Sequence, residues 1–147
     1  MRIYLDSSLA LRSILDVPER DRIIAWLDAQ PAGALVSSRL LRTEVVRVLR
    51  RDARPISDAQ ALLDRVGLVS LSDDIATVAE SIERPIKTLD ALHLGTALTL
   101  GEPVIVATHD ATMRAVAERL GLDTVDLDGA FAQDMDDLET SIDAQLA

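Results

Sequence analysis

Short apolar runs alternate with helical patterns along most of the sequence, and this alternation constrains the fold more than any other feature. Five runs have the length and composition of short strands; they are residues 3–5, 34–37, 68–71, 104–107 and 124–127. Between them, apolar residues recur at helical spacing, most clearly in residues 39–51. Strands that alternate with helices favour a parallel sheet covered by helices on both faces. We therefore predict an α/β fold with three layers, α/β/α, around a central parallel sheet of about four to five short strands.

Length, cysteine content and hydropathy narrow the classes of protein that the chain can belong to. A length of 147 residues predicts one domain that can bury its own core. Because the sequence has no cysteine, disulfides, zinc–thiolate sites and cysteine nucleophiles are excluded. No apolar run reaches the length of a membrane span and no signal-peptide pattern is present, so we expect a soluble, cytoplasmic protein without a membrane partner.

The net charge of −10 comes largely from the last part of the sequence. Residues 123–147 hold 8 acidic residues and no basic one, whereas the rest has 15 basic and 17 acidic residues, a net charge of −2. The overall charge therefore does not exclude a nucleic acid as a partner. We divide the chain into a domain of residues 1–128 and an acidic tail of residues 129–147, where apolar residues at helix-like intervals favour a helix.

Acidic residues stand where two of the predicted strands end. Asp6 directly follows the first run, and Ser7 and Ser8 are suitable N-cap residues for the helix after it. Asp110 follows the fourth run, two residues after Thr108. In a parallel sheet with right-handed crossovers, the carboxyl ends of the strands share one edge, where open α/β sheets bind ligands. We therefore expect Asp6 and Asp110 at a binding site.

Two further acids are predicted at the same edge, each near the start of a helix. Asp90 falls in the first turn of a helix with Thr88 as its expected N-cap, and Glu44 lies about one turn into the helix of residues 39–51. Glu44 can reach the edge because its side chain is long and tilts toward the helix start. Each acid alone has a simpler interpretation, since Asp90 and Asp110 suit the positive end of a helix and Glu44 suits a solvated face.

Four acids are thus predicted to converge: Asp6, Glu44, Asp90 and Asp110. Carboxylates so placed repel one another strongly, and Mg²⁺ or Mn²⁺, which prefer oxygen ligands, would relieve the repulsion. The three aspartates would bind the cation, and Glu44 would bind it directly or through water. Such a site suits metal-assisted hydrolysis of phosphodiester bonds. The hydroxyls predicted to support it are those of Ser7, Ser8 and Thr108.

The basic residues of the first half and the two histidines allow more than one interpretation. The dense cluster consists of Arg39, Arg42, Arg47, Arg50, Arg51 and Arg54, which form either a solvated helix face or contacts to the phosphates of a nucleic acid. The residues predicted to make such contacts are Arg39, Arg42, Arg47, Arg50 and Lys87. The acidic tail could compete with the nucleic acid for these arginines. His93 shares a helix face with Asp90, a spacing that could supply two metal ligands, and His109 is predicted to point away from the site.

Four segments of the sequence occur together in a characteristic order. They are IYLDSSLAL around Asp6, SSRLLRTEVVRVLRR around Glu44, KTLDALHLGTAL around Asp90 and VIVATHDATM around Asp110. In these segments and their separations, residues 1–128 resemble the PIN-domain ribonucleases, specifically the VapC-type toxins of type II toxin–antitoxin systems. The resemblance implies a PIN-like fold and a metal-dependent endoribonuclease that leaves 5′-phosphate and 3′-hydroxyl ends.

The resemblance also implies roles for individual residues and for partners. Asp6, Glu44, Asp90 and Asp110 match the acidic site of the family, and Thr108 matches its associated hydroxyl position. The family implies an RNA substrate, a homodimer and a cognate antitoxin protein. His93 matches a family histidine that is not a metal ligand, which implies a structural role for it.

Two other classes of function remain as alternatives. A catalytically silent PIN-like domain would bind RNA or an antitoxin without turnover. A receiver-like signalling domain has similar length, but it would need an acidic pair after the first strand and a lysine after the last, whereas Asp6 stands alone and Lys87 is elsewhere. A phosphatase of the haloacid-dehalogenase type would need a second acid at Ser8.

Overall fold

The computed structural model describes residues 1–125 and residue 127, and this part contains the predicted central sheet. Its strands are β1 (Arg2–Leu5), β2 (Leu35–Ser38), β3 (Gly67–Val69), β4 (Val104–Ala107) and β5 (Asp123–Val125). They pair in the order β3-β2-β1-β4-β5, and every neighbouring pair is parallel. The predicted parallel sheet is therefore confirmed.

Helices cover both faces of the sheet. They are α1 (Ser7–Arg12), α2 (Arg20–Asp28), α3 (Arg39–Arg51), α4 (Gln60–Leu63), α5 (Asp73–Glu80), α6 (Thr88–Thr99) and α7 (Ala111–Arg119). On β1, Ile3 and Leu5 pack into one core with residues of α1 to α4, whereas Tyr4 packs into a second core with residues of α6 and α7. Because successive strand residues face opposite sides of the sheet, two cores and three layers result.

Helix α6, which carries the predicted site residue Asp90, lies unusually close to α5. A Cβ atom at Gly95 would stand 2.9 Å from the carbonyl oxygen of Ile75 and 3.3 Å from the Cβ of Ala79. Only glycine permits this approach without displacing the backbone of α5. Gly95 therefore helps to set the position of α6 relative to α5.

The strand order places a topological switch point between β1 and β4. The chain proceeds outward from β1 through β2 to β3, and then crosses back to pair β4 with the other side of β1. Leu5 at the end of β1 is in register with Ala107 at the end of β4, so Asp6 and Thr108 follow side by side. Ligands bind at such a switch point in open α/β sheets. The order also differs from the 2-1-3-4-5 order of receiver-like folds, which argues against that alternative.

The helix caps differ from two of the predictions. Asp6, not Ser7 or Ser8, is the N-cap of α1, because its backbone is extended and its carboxylate accepts the N–H of Leu9. The two serines are left free to bond elsewhere. The N-cap of α6 is Lys87, whose backbone is extended, and the predicted cap Thr88 is the first residue of the helix.

The division into a domain of residues 1–128 and a tail of residues 129–147 stays a prediction, because the tail lies outside the described residues. Within the described part, no helix is both long enough and apolar enough to cross a membrane.

Candidate active site

Asp6 is buried at the end of β1, with only 2% of its surface exposed. Its Oδ1 accepts hydrogen bonds from Leu9 N–H at 3.1 Å and from Ser8 Oγ at 2.8 Å. Its Oδ2 accepts one from Thr108 Oγ1 at 2.5 Å. Burial raises the pKa of Asp6, and these three donors oppose the rise because they stabilise the ionised form. Burial makes ionisation of Asp6 unfavourable, and the three hydrogen bonds offset part of this cost and hold the carboxylate in one orientation.

Two hydroxyls connect Asp6 to the segment that follows β4. Thr108 Oγ1 donates to Asp6 and accepts the backbone N–H of Asp110 at 3.0 Å. Ser8 Oγ likewise donates to Asp6 and accepts the backbone N–H of His109 at 3.1 Å. The end of β1 and the start of α7 are thus one hydrogen-bonded unit. The prediction that Ser8 and Thr108 hold a carboxylate agrees with these contacts.

Asp110 has the position expected of a helix-start residue. It is the N-cap of α7, and its Oδ1 accepts the N–H of Met113 at 2.9 Å. The capping role engages one of the two carboxylate oxygens. Asp110 can therefore cap α7 and still present an oxygen to a ligand.

Asp90, in the first turn of α6, is electrostatically coupled to the other three acids. Burial raises the pKa of Asp90, and the charges of Asp110 and Asp6 raise it further. The charge of Glu44 acts in the same direction, whereas His93 opposes it. Asp90 therefore lies within electrostatic range of each of the other three predicted acids.

Glu44 is held from both sides near the start of α3. Its Oε2 accepts a hydrogen bond from Ser7 Oγ at 2.9 Å, and its Oε1 lies 2.6 Å from His93 Nε2. Burial alone would raise the pKa of Glu44, but the interactions with His93 and Ser7 outweigh it and lower the pKa overall. Glu44 therefore stays ionised to a lower pH in the folded protein than an ordinary glutamate does.

The sequence did not reveal that His93 contacts Glu44 or that Tyr4 contacts His93. The imidazole is 0% exposed, and its Nδ1 lies 2.7 Å from the Tyr4 hydroxyl. Both ring nitrogens are engaged by protein groups, which agrees with the structural role predicted for His93. The sequence does contain one signal for these contacts, which is Tyr4 between the aliphatic residues Ile3 and Leu5 of a predicted buried strand. A buried tyrosine hydroxyl requires a hydrogen-bond partner.

The donor set fits a hard divalent cation in its chemistry. Among residues 1–125 and 127, no group of three or more carboxylate or imidazole side chains is placed so that it could hold a metal ion. The available donors are nevertheless all oxygens, and the mutual repulsion that raises the pKa of Asp90 is what a bound cation relieves. The metal site and its cofactor stay predictions at this point.

The basic residues separate into different environments. Arg54 bonds to Asp58, Asp16 and the carbonyl of Ile14, so it is part of the scaffold. Arg39, at the start of α3, is exposed and donates to Thr43. The other predicted RNA-binding residues are Arg42, Arg47, Arg50 and Lys87.

On α3, Arg47 lies three residues after Glu44 and shares its side of the helix. Arg42 and Arg50 stand two before and six after Glu44, on other sides. Lys87 is exposed beside the start of α6. Contact of these residues with RNA stays a prediction.

Sequence comparison finds relatives over most of the chain. The profile of the PIN domain family matches residues 3–119. Ribonuclease VapC47 of Mycobacterium tuberculosis (strain CDC 1551) is 29% identical over 128 residues, which cover 83% of this chain and 94% of the relative. Ribonuclease VapC46 of Mycobacterium tuberculosis (strain H37Rv) is 32% identical over 123 residues, which cover 82% of this chain and 93% of the relative.

Solved structures show the same fold. The crystal structure of Mycobacterium tuberculosis VapC20, described as a toxin that cleaves the sarcin–ricin loop, matches with a TM-score of 0.64 and 16% identity. That match covers 77% of this chain and 93% of VapC20. A chain of FitAB bound to the IR36 DNA fragment matches with a TM-score of 0.55 and 19% identity, over 85% of this chain and 94% of that one. At these identities the likeness establishes the three-layer fold.

Proposed function

The chain belongs to the PIN-domain family, and from this premise we propose that it is a metal-dependent endoribonuclease and the toxin of a toxin–antitoxin pair. Its relatives VapC47 and VapC46 are ribonucleases, and each matches more than four-fifths of this chain. VapC20, which shares the fold, is described as a toxin that cleaves the sarcin–ricin loop. The proposal transfers this class of reaction, hydrolysis of RNA phosphodiester bonds, to the present chain.

One observation carries the proposal at the level of residues: a single Thr108 hydroxyl joins the Asp6 carboxylate to the backbone of Asp110 at the switch point. The charges of Asp110, Asp6 and Glu44 all act on Asp90. Ligands bind at this point of an open α/β sheet. A set of oxygen donors here is suited to a cation and to the phosphate group of a substrate.

We assign the cation, Mg²⁺ or Mn²⁺, to Asp6, Asp90 and Asp110, with Glu44 bonded to it directly or through water. When bound, the cation supplies positive charge beside the phosphoryl oxygens and makes a water molecule more acidic. Thr108 and Ser8 hold Asp6 in its ionised form by donating to it. Ser7 and His93 do the same for Glu44, whose remaining lone pairs can orient the attacking water.

The partners of the proposed enzyme follow from the family. RNA is the substrate, and of the residues predicted to bind it Arg39, Arg47, Arg50 and Lys87 stay the candidate phosphate contacts. Arg42 lies on another side of α3 from Glu44 and is left out of this set. Cleavage would leave 5′-phosphate and 3′-hydroxyl ends. A cognate antitoxin protein would hold the enzyme inactive, and the active form would be a homodimer.

The test is end mapping of total RNA after incubation with the full chain and Mg²⁺ or Mn²⁺. The wild type should cleave at a limited set of sites, and EDTA should stop the cleavage. Asp6→Asn should abolish it without unfolding the protein. Glu102→Gln is the matched control, because it removes one exposed acid next to the start of β4, at the opposite edge of the sheet.

Cleavage by Asp6→Asn at the wild-type rate with saturating Mg²⁺ would refute the site. Cleavage that persists in EDTA would refute the metal dependence. RNA binding by the wild type without any cleavage would favour the catalytically silent alternative.

A further inference from the structure

We propose that Tyr4 and His93 are positioning residues for Glu44: the Tyr4 hydroxyl fixes the His93 ring so that its Nε2–H donates to the Glu44 carboxylate. The inference rests on the proposed function, because Glu44 is assigned to the active site there. It adds two residues that touch neither a substrate phosphate nor the cation and act through Glu44 alone.

A continuous chain of hydrogen bonds carries this inference. The backbone N–H of Ser38 donates to the Tyr4 hydroxyl at 3.1 Å, and that hydroxyl lies 2.7 Å from His93 Nδ1. His93 Nε2 lies 2.6 Å from Glu44 Oε1. Ser38 is also the N-cap of α3, the helix that carries Glu44. Tyr4 on β1 therefore links the start of α3 to α6.

The groups at the two ends of this series of hydrogen bonds, the Ser38 N–H and the Glu44 carboxylate, determine which atom donates at each step. The Ser38 N–H donates to the Tyr4 oxygen, and the ionised Glu44 at the other end can only accept, so in the neutral ring Nε2 donates to Glu44 and Nδ1 accepts the Tyr4 hydrogen. Burial raises the pKa of Tyr4 far above its ordinary value, which keeps the hydroxyl protonated. With Nδ1 as acceptor, the neutral imidazole carries its hydrogen on Nε2. That hydrogen faces the ionised Glu44.

His93 is suited to positioning and not to contact with substrate. The ring is fully buried and both of its nitrogens are engaged, so neither can reach an RNA phosphate. Ser7 holds the other oxygen of Glu44, and the carboxylate is therefore fixed from two sides. A chain of buried hydrogen bonds that ends on an active-site acid restricts the orientation of that acid.

Two variants of His93 separate positioning from packing. In His93→Gln, the amide nitrogen can take the place of Nε2 and still donate to Glu44. In His93→Asn, the shorter side chain places its amide near the former Nδ1 and leaves Glu44 without this donor. We expect His93→Gln to retain kcat within about threefold and His93→Asn to lose about tenfold or more, with KM for RNA unchanged in both.

A second measurement does not depend on catalysis. The sequence has two histidines, so nitrogen-15 spectra of the metal-free protein can be assigned with a His109→Gln variant. At mildly alkaline pH, His93 should be protonated on Nε2 only. In Tyr4→Phe, which removes the hydrogen donor to Nδ1, the Nδ1–H form should become populated.

Three results overturn the inference: a wild-type His93 with its hydrogen on Nδ1, equal kcat values for His93→Gln and His93→Asn, or parallel losses of kcat and thermal stability in both variants. If the wild type shows no metal-dependent cleavage, the proposed function fails. The spectra then still decide whether Tyr4 and His93 orient Glu44.

Discussion

The Thr108 hydroxyl donates a hydrogen bond to Asp6 Oδ2 at 2.5 Å, although 102 positions separate the two residues in the chain. The register of β1 with β4 brings them together, because Leu5 and Ala107, the residues just before them, are direct partners. The same hydroxyl accepts the N–H of Asp110. The acids that follow the two central strands are consequently one structural unit.

Loss of this hydroxyl should impair both activity and stability. Thr108→Val keeps the shape of the side chain, but Asp6 loses a donor and the Asp110 N–H loses its acceptor. We expect a loss of about 1–3 kcal/mol in the free energy of unfolding and a decrease of about tenfold or more in RNA cleavage. Urea denaturation and initial cleavage rates measure the two effects.

Thr108→Ser, which keeps the hydroxyl, is the control and should remain close to the wild type. The pKa of Asp6 should rise further in Thr108→Val, so its activity should fall at a higher pH than that of the wild type as the solution is acidified. Identical pH profiles and rates for the Val and Ser variants would contradict the assigned role.

Asp90→Asn should stabilise the metal-free protein while it abolishes cleavage. Because the pKa of Asp90 is raised in the folded chain, the native state holds this proton to a higher pH than the unfolded chain does. The ionised carboxylate therefore costs stability as pH rises through the raised pKa. At neutral pH the variant should gain about 1 kcal/mol or less, and the gain should vanish in acid, where Asp90 of the wild type is protonated.

Thermal unfolding in EDTA measures this gain. Glu102→Gln, which removes an exposed acid paired with Arg2, should not raise the melting temperature. Addition of Mn²⁺ should stabilise the wild type more than Asp90→Asn, because a ligand that binds only the folded state shifts the equilibrium toward it. An Asp90→Asn variant less stable than the wild type in EDTA would argue against repulsion among the four acids.

Glu44→Gln should have the opposite effect on stability. The pKa of Glu44 is lowered in the folded chain, so its ionised form contributes stability above the unfolded pKa of about 4.3. That contribution is lost as pH falls through the lower native pKa. At neutral pH we expect the variant to lose about 1 kcal/mol, since charge-assisted hydrogen bonds to His93 and Ser7 become neutral ones.

Denaturation of the metal-free protein tests whether Glu44→Gln lowers the free energy of unfolding at neutral pH and whether this loss disappears at acidic pH. Glu118→Gln is a suitable control, because Glu118 is exposed and accepts one hydrogen bond from Thr124. A Glu44→Gln variant as stable as the wild type at neutral pH would mean that His93 and Ser7 do not stabilise the carboxylate.

Arg47 should contact an RNA phosphate and Arg42 should not. Arg47 shares the Glu44 side of α3, whereas Arg42 is on another side. Arg47→Gln should weaken RNA binding by severalfold, and it should decrease the slope of log affinity against log salt by about 1. Arg42→Gln, which removes the same charge, should leave both unchanged. Equal effects of the two substitutions would indicate a diffuse attraction instead of a specific contact.

Local patterns in the sequence were sufficient to predict the layers and the positions of the four acids. Residues 3–5 and 104–107 are short apolar runs that favour buried strands, and in a parallel sheet the carboxyl ends of such strands share an edge. Asp6 and Asp110 follow from that rule alone. Asp90 and Glu44 follow because helix starts face the same edge.

The hydrogen bonds that orient these acids depend on the tertiary structure. Ser7 and Ser8 were predicted as caps, but Asp6 caps α1 and the serines bond to Glu44 and Asp6. The contact between Tyr4 and His93 spans 89 positions and exists only because α6 packs on the face of the sheet that Tyr4 occupies. Spacing along a chain specifies which side of a strand or helix a residue occupies, whereas strand order and helix packing decide which distant residues meet.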